Sequence, residues 1–201
     1  MISALSYYII GADEVGYGSY AGPVVVGAVR AKANWNLEGL NDSKKLSEKR
    51  RDIMNQKLME LVKTGEIWYA LAERSSFDID VLGLALAQKE SYIEAIRDVW
   101  HDDVTVILDG LIKLDPARID VNKTISVIKA DTTEPTVMAA SIIAKVYRDG
   151  KMRHLHAKYP EYGWDKNVGY GTPAHIEAIN KFGLCILHRK SFKIKSVNNT
   201  P

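Results

Sequence analysis

The sequence predicts an α/β protein in which a mixed central sheet is flanked by helices. Short apolar runs, typical of buried strands, alternate with longer segments whose apolar residues recur at helical spacing. Their order is that of layered α/β proteins. A length of 201 residues with 46% hydrophobic content suffices for one sizeable core. We therefore expect one domain over residues 1–201, with a helical C-terminal extension at about residues 160–192 and a short flexible tail.

Each element has its own local evidence. Residues 104–108 (VTVIL) are entirely apolar, which is typical of a strand covered on both faces. Ser47 suits the N-cap of a helix that ends before Gly65, and Pro135 suits the first position of another helix. The predicted strands cover residues 7–12, 23–30, 67–72, 104–108 and 124–129, and the predicted helices cover about residues 47–64, 80–99, 135–153 and 172–183.

Acidic residues follow three of the predicted strands. Asp13 and Glu14 come after the first strand, Asp109 after VTVIL and Asp131 after the last strand. Residues at strand ends of a layered α/β sheet collect in one crevice. Four carboxylates there would repel each other unless cations neutralise them, and carboxylate ligands suit Mg²⁺ or Mn²⁺. Two such ions could activate a water against a phosphodiester.

The same acids have a simpler interpretation. An aspartate at a strand end is more often a helix cap or a solvated turn residue. Spacing alone does not show that the four side chains meet. Both interpretations therefore stay open at this point.

A glycine-rich turn, GYGSYAG (residues 16–22, below "the glycine turn"), joins the first two strands. It lacks the G-x-G-x-x-G spacing and leads into a strand, which disfavours a Rossmann-type nucleotide-binding enzyme. The turn could serve only to supply positive φ. It could equally let backbone amides approach a sugar or phosphate closely.

Bulk composition excludes some classes of site. Cys185 is the only cysteine, so no internal disulfide and no cysteine zinc site can form. The net charge of +2 is weak evidence about nucleic acid, because an acidic centre can offset a basic rim. No apolar stretch approaches ~18 residues and no signal peptide is recognisable. We expect a cytoplasmic protein with no membrane association.

Several long blocks of the sequence resemble ribonuclease HII, the bacterial type 2 ribonuclease H, in the order of that family. The resemblance extends from about Ile10 to Phe192 and implies a ribonuclease H-like fold. It also implies an endonuclease that hydrolyses the RNA strand of RNA–DNA hybrids and cuts 5′ of ribonucleotides embedded in duplex DNA, leaving a 3′-hydroxyl and a 5′-phosphate. The matching blocks are GADEVGYGSYAGPVVVGAV, NDSKKLSEKRR, ILDG, KADTTEPTVMAASIIAKVYRD, YGWDKNVGYGTPAHIEAI and HRKSF.

The resemblance implies site residues as well. The family's four acids fall on Asp13, Glu14, Asp109 and Asp131, which would hold two Mg²⁺ or Mn²⁺ ions. The family reads the 2′-hydroxyl, the group that marks RNA within a duplex. The implied substrate-binding residues are Gly16, Tyr17, Gly18, Ser43, Lys44, Tyr170 and Arg189.

One departure from the family bears on function. The family usually has Gly-Arg-Gly or Gly-Lys-Gly where this chain has Gly-Tyr-Gly, so Tyr17 brings no cation to a phosphate. We expect less efficient incision at a lone ribonucleotide, and a hybrid-binding protein that no longer cuts is the alternative. The related ribonuclease HIII type has an extra N-terminal domain and a glutamate as fourth acid, and this sequence shows neither. We expect a monomer. His175 follows Thr172-Pro173 at a predicted helix start, and we expect it either at the surface or in contact with substrate.

Overall fold

Five strands form one sheet in the computed structural model, which describes residues 7–194. The strands lie in the order β3-β2-β1-β4-β5. β2 runs antiparallel to β1 and β3, whereas β4 runs parallel to β1 and β5. The sheet is therefore mixed, as predicted, and three parallel strands end at one edge. The bounds are β1 (Tyr8–Val15), β2 (Val24–Lys32), β3 (Trp68–Arg74), β4 (Val104–Asp109) and β5 (Thr124–Val127).

Helices cover both faces of this sheet. On one face, the core side chains of β1, β2 and β4 pack against Ile93 and Ile96 of α3. On the other face lies α4, and Leu58 of α1 packs against Ile142 of α4 from outside. The helices are α1 (Glu48–Lys63), α2 (Ser76–Leu82), α3 (Leu84–Asp98), α4 (Pro135–His156), α5 (Trp164–Asn167) and α6 (Pro173–Phe182).

Two glycines let α4 approach the sheet backbone to backbone. A β-carbon on Gly11 of β1 would lie 2.2 Å from the backbone nitrogen of Val137. One on Gly27 of β2 would lie 2.5 Å from the carbonyl oxygen of Ala140. Since neither atom can move without moving the helix, these positions exclude side chains, and α4 lies directly beside the carboxyl half of β1.

The single helix predicted for residues 80–99 is wrong. The chain forms two helices, divided at Gly83, whose φ of 81° interrupts the helical conformation. Ser75 and Asp78 form a capping box that starts α2. The apolar pattern continues across the break, so periodicity alone did not reveal it.

Two strand ends also differ from the prediction. β1 extends through Asp13 and Glu14 to Val15 instead of ending before them. β5 ends at Val127, because Lys129 takes a left-handed conformation with φ 61° and turns the chain.

The C-terminal segment is helical, as predicted. After α4 come a 3-10 turn at Pro160–Tyr162, α5 and α6, which pack around the fully buried Trp164. Most of the predicted flexible tail lies in residues 195–201, outside the described residues. Within residues 7–194, no helix has the length and apolar character that a membrane crossing needs.

Candidate active site

Three aspartates meet at the edge where β1, β4 and β5 end. Asp109 is the last residue of β4, and Asp131 lies in a 3-10 turn, Ala130–Thr132, between β5 and α4. Pairing of Ala12 with Leu108 places Asp13 and Asp109 at the same level of the sheet. One carboxylate oxygen of each aspartate lies within 4.8 Å of the other two. We call Asp13, Asp109 and Asp131 the aspartate triad.

Strand alternation decides which acids join this group. Gly11 faces α4 and Ala12 faces α3, so Asp13 points to the α4 side and Glu14 to the α3 side. The Glu14 carboxylate accepts a hydrogen bond of 2.5 Å from the hydroxyl of buried Tyr92. Of the four predicted acids, the structure thus brings three together and places Glu14 across β1 from them.

The triad fits a divalent cation. Oδ1 of Asp109 is buried and has no hydrogen-bond partner among the described residues. A buried carboxylate oxygen without a donor is costly, and a metal ion would satisfy it. Three carboxylates without cysteine or histidine suit Mg²⁺ or Mn²⁺.

The charge of the triad is costly in the folded chain. Burial raises the pKa of Asp13 to about 7 against an opposing hydrogen bond from Ser141, and the Glu14 and Asp109 carboxylates raise it further. Burial, together with the Asp131 carboxylate, also raises the pKa of Asp109. Without a cation Asp13 therefore tends to retain its proton near neutral pH, and a bound cation would compete with that proton.

The predicted residues Ser43 and Lys44 lie beside the triad. Ser43 is buried, with its hydroxyl 2.9 Å from that of Ser141, and its carbonyl accepts a hydrogen bond from Arg51. Lys44 Nζ lies 3.4 Å from Asp131 Oδ2, although the side chain is 75% exposed. Burial lowers the pKa of Lys44, but the Asp131 and Asp13 carboxylates more than offset this, so it lies above its ordinary value.

The glycine turn adjoins the segment that carries Tyr170. The N–H groups of Tyr20 and Ala21 donate to the carbonyl of Gly169, at 2.8 and 3.2 Å. Within residues 7–194, the N–H groups of Gly16, Tyr17 and Gly18 have no hydrogen-bond partner. The structure thus brings the predicted turn and Tyr170 together as two halves of one surface.

Arg189 is not on that surface. It is fully buried beneath the glycine turn, where its guanidinium donates to the carbonyls of Gly16, Tyr17 and Gly22. The resemblance implied that Arg189 contacts substrate, and this structure places its guanidinium beneath the turn instead of at the surface. Burial, together with the nearby Arg148 charge, lowers its pKa to about 9, which leaves it charged at neutral pH.

His175 also differs from both expectations. It is fully buried, and its Nδ1 lies 2.9 Å from the carbonyl oxygen of Tyr170. Its Nε2 lies 3.1 Å from the indole nitrogen of Trp164 and 3.2 Å from Nε2 of His188. Burial lowers its pKa, so the imidazole stays neutral at neutral pH, and its contacts are with other groups of the core.

Sequence reasoning missed Tyr92 and Arg148, which are both buried next to the site. Arg148 had a recognisable pattern, because it occupies the position between Ala144 and Met152 on the buried stripe of α4. A charged residue on such a stripe is rarely buried without a specific partner. Tyr92 had no such mark, since a tyrosine is ordinary on a core-facing helix.

A family model described as Ribonuclease HII matches residues 10–195. The chain belongs to the ribonuclease HII family. Ribonuclease H enzymes are endoribonucleases, and family membership assigns that activity to this chain. A ribonuclease HII of Chlamydia muridarum is 42% identical over 184 residues, which cover 92% of this chain and 81% of the relative. One of Staphylococcus epidermidis is 44% identical over 190 residues, covering 94% and 71%.

Solved structures of this family have the same fold. The ribonuclease H2 of Pyrococcus horikoshii is 26% identical with a TM-score of 0.74, and the match covers 92% of this chain and 94% of that one. The RNase HII in a complex with PCNA from Archaeoglobus fulgidus is 25% identical with a TM-score of 0.75, covering 93% and 96%. The chain therefore has a ribonuclease H-like fold.

Proposed function

We propose that this chain cuts the RNA strand of RNA–DNA hybrids and the 5′ side of ribonucleotides embedded in duplex DNA, leaving a 3′-hydroxyl and a 5′-phosphate. The observation that carries the proposal is the aspartate triad, with its unpartnered buried oxygen, at the sheet edge next to the glycine turn. Such an enzyme removes ribonucleotides and RNA primers from DNA.

The proposed cofactors are two Mg²⁺ or Mn²⁺ ions. Asp13, Asp109 and Asp131 would hold them, with Glu14 contributing from the other side of β1. Two such ions supply an activated water and stabilise the leaving oxygen. The chain orients the ligands beforehand, because Ser141 donates to Asp13 and Tyr92 to Glu14.

Lys44 is the proposed phosphate contact. In the free protein its ammonium group lies against Asp131, yet most of the side chain is exposed. When a cation neutralises Asp131, the ammonium group can turn to a phosphate of the substrate. Buried Ser43 would hold this loop against α4 through Ser141.

Recognition of the 2′-hydroxyl is proposed for the glycine turn and Tyr170. The unpaired N–H groups of Gly16, Tyr17 and Gly18 can approach a ribose, since Tyr17 and Gly18 lie at the surface. Tyr170 is half-buried beside the turn and offers a ring face for stacking and a hydroxyl for hydrogen bonding.

A cleavage-site map tests the proposal. One labelled duplex carries a single ribonucleotide and another a ribonucleotide tract, each with Mg²⁺ and with Mn²⁺. We expect cuts 5′ of ribonucleotides, and a loss of more than ~100-fold in Asp109→Asn, because even residues that only support metal ligands cost ~10–100-fold. Asp102→Asn is the matched control, because this exposed acid precedes β4 and lies at the opposite end of that strand from Asp109.

The alternative function is a hybrid-binding protein that does not cut. The neutral, 41% exposed Tyr17 in the glycine turn is the feature that favours it. Binding of the labelled duplexes without any product that depends on a divalent cation would establish the alternative and refute the enzyme.

A further inference from the structure

Two arginines are buried beneath the glycine turn without an acidic partner. Arg148 of α4 and Arg189 are both 0% exposed. No salt bridge among residues 7–194 includes either guanidinium. Burying a charge without a counter-ion is costly unless hydrogen bonds satisfy it. The hydrogen bonds that satisfy these two guanidinium groups therefore indicate their structural role.

Almost all of those bonds go to main-chain carbonyls. Arg189 donates to the carbonyls of Gly16 (2.6 Å), Tyr17 (2.7 Å) and Gly22 (3.0 Å). Arg148 donates to the carbonyls of Ala21 (3.1 Å), Pro23 (2.9 Å) and Val168 (2.9 Å) and to the hydroxyl of Ser19 (2.7 Å). The Ser19 hydroxyl donates in turn to the carbonyl of Gly16 (2.9 Å).

This arrangement orients the turn. The arginines draw its carbonyls inward, while the N–H groups of Gly16, Tyr17 and Gly18 find no partner in the described part of the chain. Gly16 admits no side chain here, because its φ is 87° and a β-carbon would lie 2.0 Å from Nε of Arg148.

Arg148 also joins the turn to Tyr170. The same guanidinium that holds Ala21 and Pro23 bonds the carbonyl of Val168, and its Cζ lies 5.5 Å from the centre of the Tyr170 ring. One side chain thus sets the distance between the two halves of the surface.

We propose that Arg148 and Arg189 are positioning residues for ribonucleotide recognition. They hold the glycine turn and Tyr170 in one fixed arrangement that fits a 2′-hydroxyl, without touching the nucleic acid. This inference rests on the proposed function. It also explains how the glycine turn can bind a ribose although Tyr17 is uncharged, because the two buried arginines fix the backbone of the turn.

The test compares two dissociation constants in the Asp109→Asn background, where the duplex stays uncut. One duplex carries a single ribonucleotide, and the other is all DNA of the same sequence. Arg189→Lys keeps the charge but loses the planar fork, and Ser19→Ala removes the link between Arg148 and Gly16. We expect the preference for the ribonucleotide duplex to fall about tenfold in Arg189→Lys, which corresponds to ~1.4 kcal/mol, and less in Ser19→Ala.

Arg30→Lys is the matched control. Arg30 also donates to main-chain carbonyls, those of Val99 and Trp100, but at the opposite end of β2. Its substitution should leave the preference unchanged while costing similar stability in a thermal melt. An unchanged preference in folded Arg189→Lys and Ser19→Ala, or an equal fall in Arg30→Lys, would overturn the inference. If Arg189→Lys does not fold, Ser19→Ala decides. Failure of the proposed function looks different, because the wild-type protein would then cut neither ribonucleotide-containing duplex.

Discussion

Asp13 lies where burial makes its own charge unfavourable near neutral pH. Burial raises its pKa from 3.8 to about 7, so the folded protein binds a proton there more tightly than the unfolded chain does. The stability that this proton contributes is fully present below pH 3.8 and is lost as the pH rises through about 7. At the scale of the residue, ionised Asp13 therefore lowers the stability of the metal-free folded protein near neutral pH.

The Asp13→Asn variant makes this measurable. In chelator, we expect the variant to be more stable than the wild type, with a difference that grows between pH 4 and pH 7 and reaches ~4 kcal/mol at most. Urea unfolding of both proteins across this range provides the check, with exposed Asp102→Asn as control. A difference that shrinks with rising pH would contradict the assignment of the shift to Asp13.

Tyr92 contacts Glu14, the acid proposed to contribute to the metal site. Its buried hydroxyl donates to Glu14 Oε2 at 2.5 Å, which orients that carboxylate and leaves its other oxygen available. We expect Tyr92→Phe to keep its fold and to lose ~10–100-fold in activity or in apparent metal affinity, as residues that support ligands do. Turnover measured against the concentration of Mn²⁺ separates the two effects.

The matched control for Tyr92 is Tyr162→Phe. It also removes one tyrosine hydrogen bond, to the carbonyl of Gly183, in the C-terminal segment. Equal losses in the two variants would mean that Tyr92 contributes general stability rather than ligand orientation.

At the scale of the element, the approach of α4 to the sheet places Ser141 against Asp13. This approach depends on Gly11 and Gly27, which leave no space for a β-carbon. α4 also carries Arg148 on its buried stripe. The same helix therefore supports both the aspartate triad and the glycine turn, so a shift of α4 would disturb both at once.

Substitution of two glycines tests this packing. We expect Gly27→Ala to lower the free energy of unfolding by about 1–3 kcal/mol or more, because the new carbon would meet the carbonyl of Ala140 at 2.5 Å. Gly150, within α4, has open space around it, and Gly150→Ala should raise stability by about 0.5–1 kcal/mol. Denaturant midpoints that move in the same direction for both variants would contradict the backbone contact.

At the scale of the whole molecule, the proposed metal site links binding to folding. Three parallel strand ends converge on it only in the folded chain, so a cation that binds there stabilises that state. At a concentration of Mn²⁺ one hundred times its dissociation constant, the gain is ~2.7 kcal/mol, or roughly 5–10 °C in melting temperature for a chain of this size. We expect this gain in thermal melts of the wild type and its loss in Asp109→Asn; an equal gain in both would place the ion elsewhere.

The alternation of strands and helices was determined by the sequence itself, because apolar periodicity and capping residues act over a few positions. The mixed sheet, the helices on both faces and the acids at strand ends followed from such local patterns. In the same local way, the capping box of Ser75 and Asp78 marked the start of α2, and Gly83 marked the break before α3, although periodicity concealed that break.

Which side chains contact each other was decided only by the tertiary structure. Asp13, Asp109 and Asp131 meet, and Glu14 turns to Tyr92, because strand register and alternation place residues far apart in sequence on one side of the sheet or the other. The family resemblance implied a substrate contact for Arg189, whereas the fold buries it beneath the glycine turn. Hydrogen bonds to carbonyls distant along the chain keep it there, and no local pattern encodes contacts of that range.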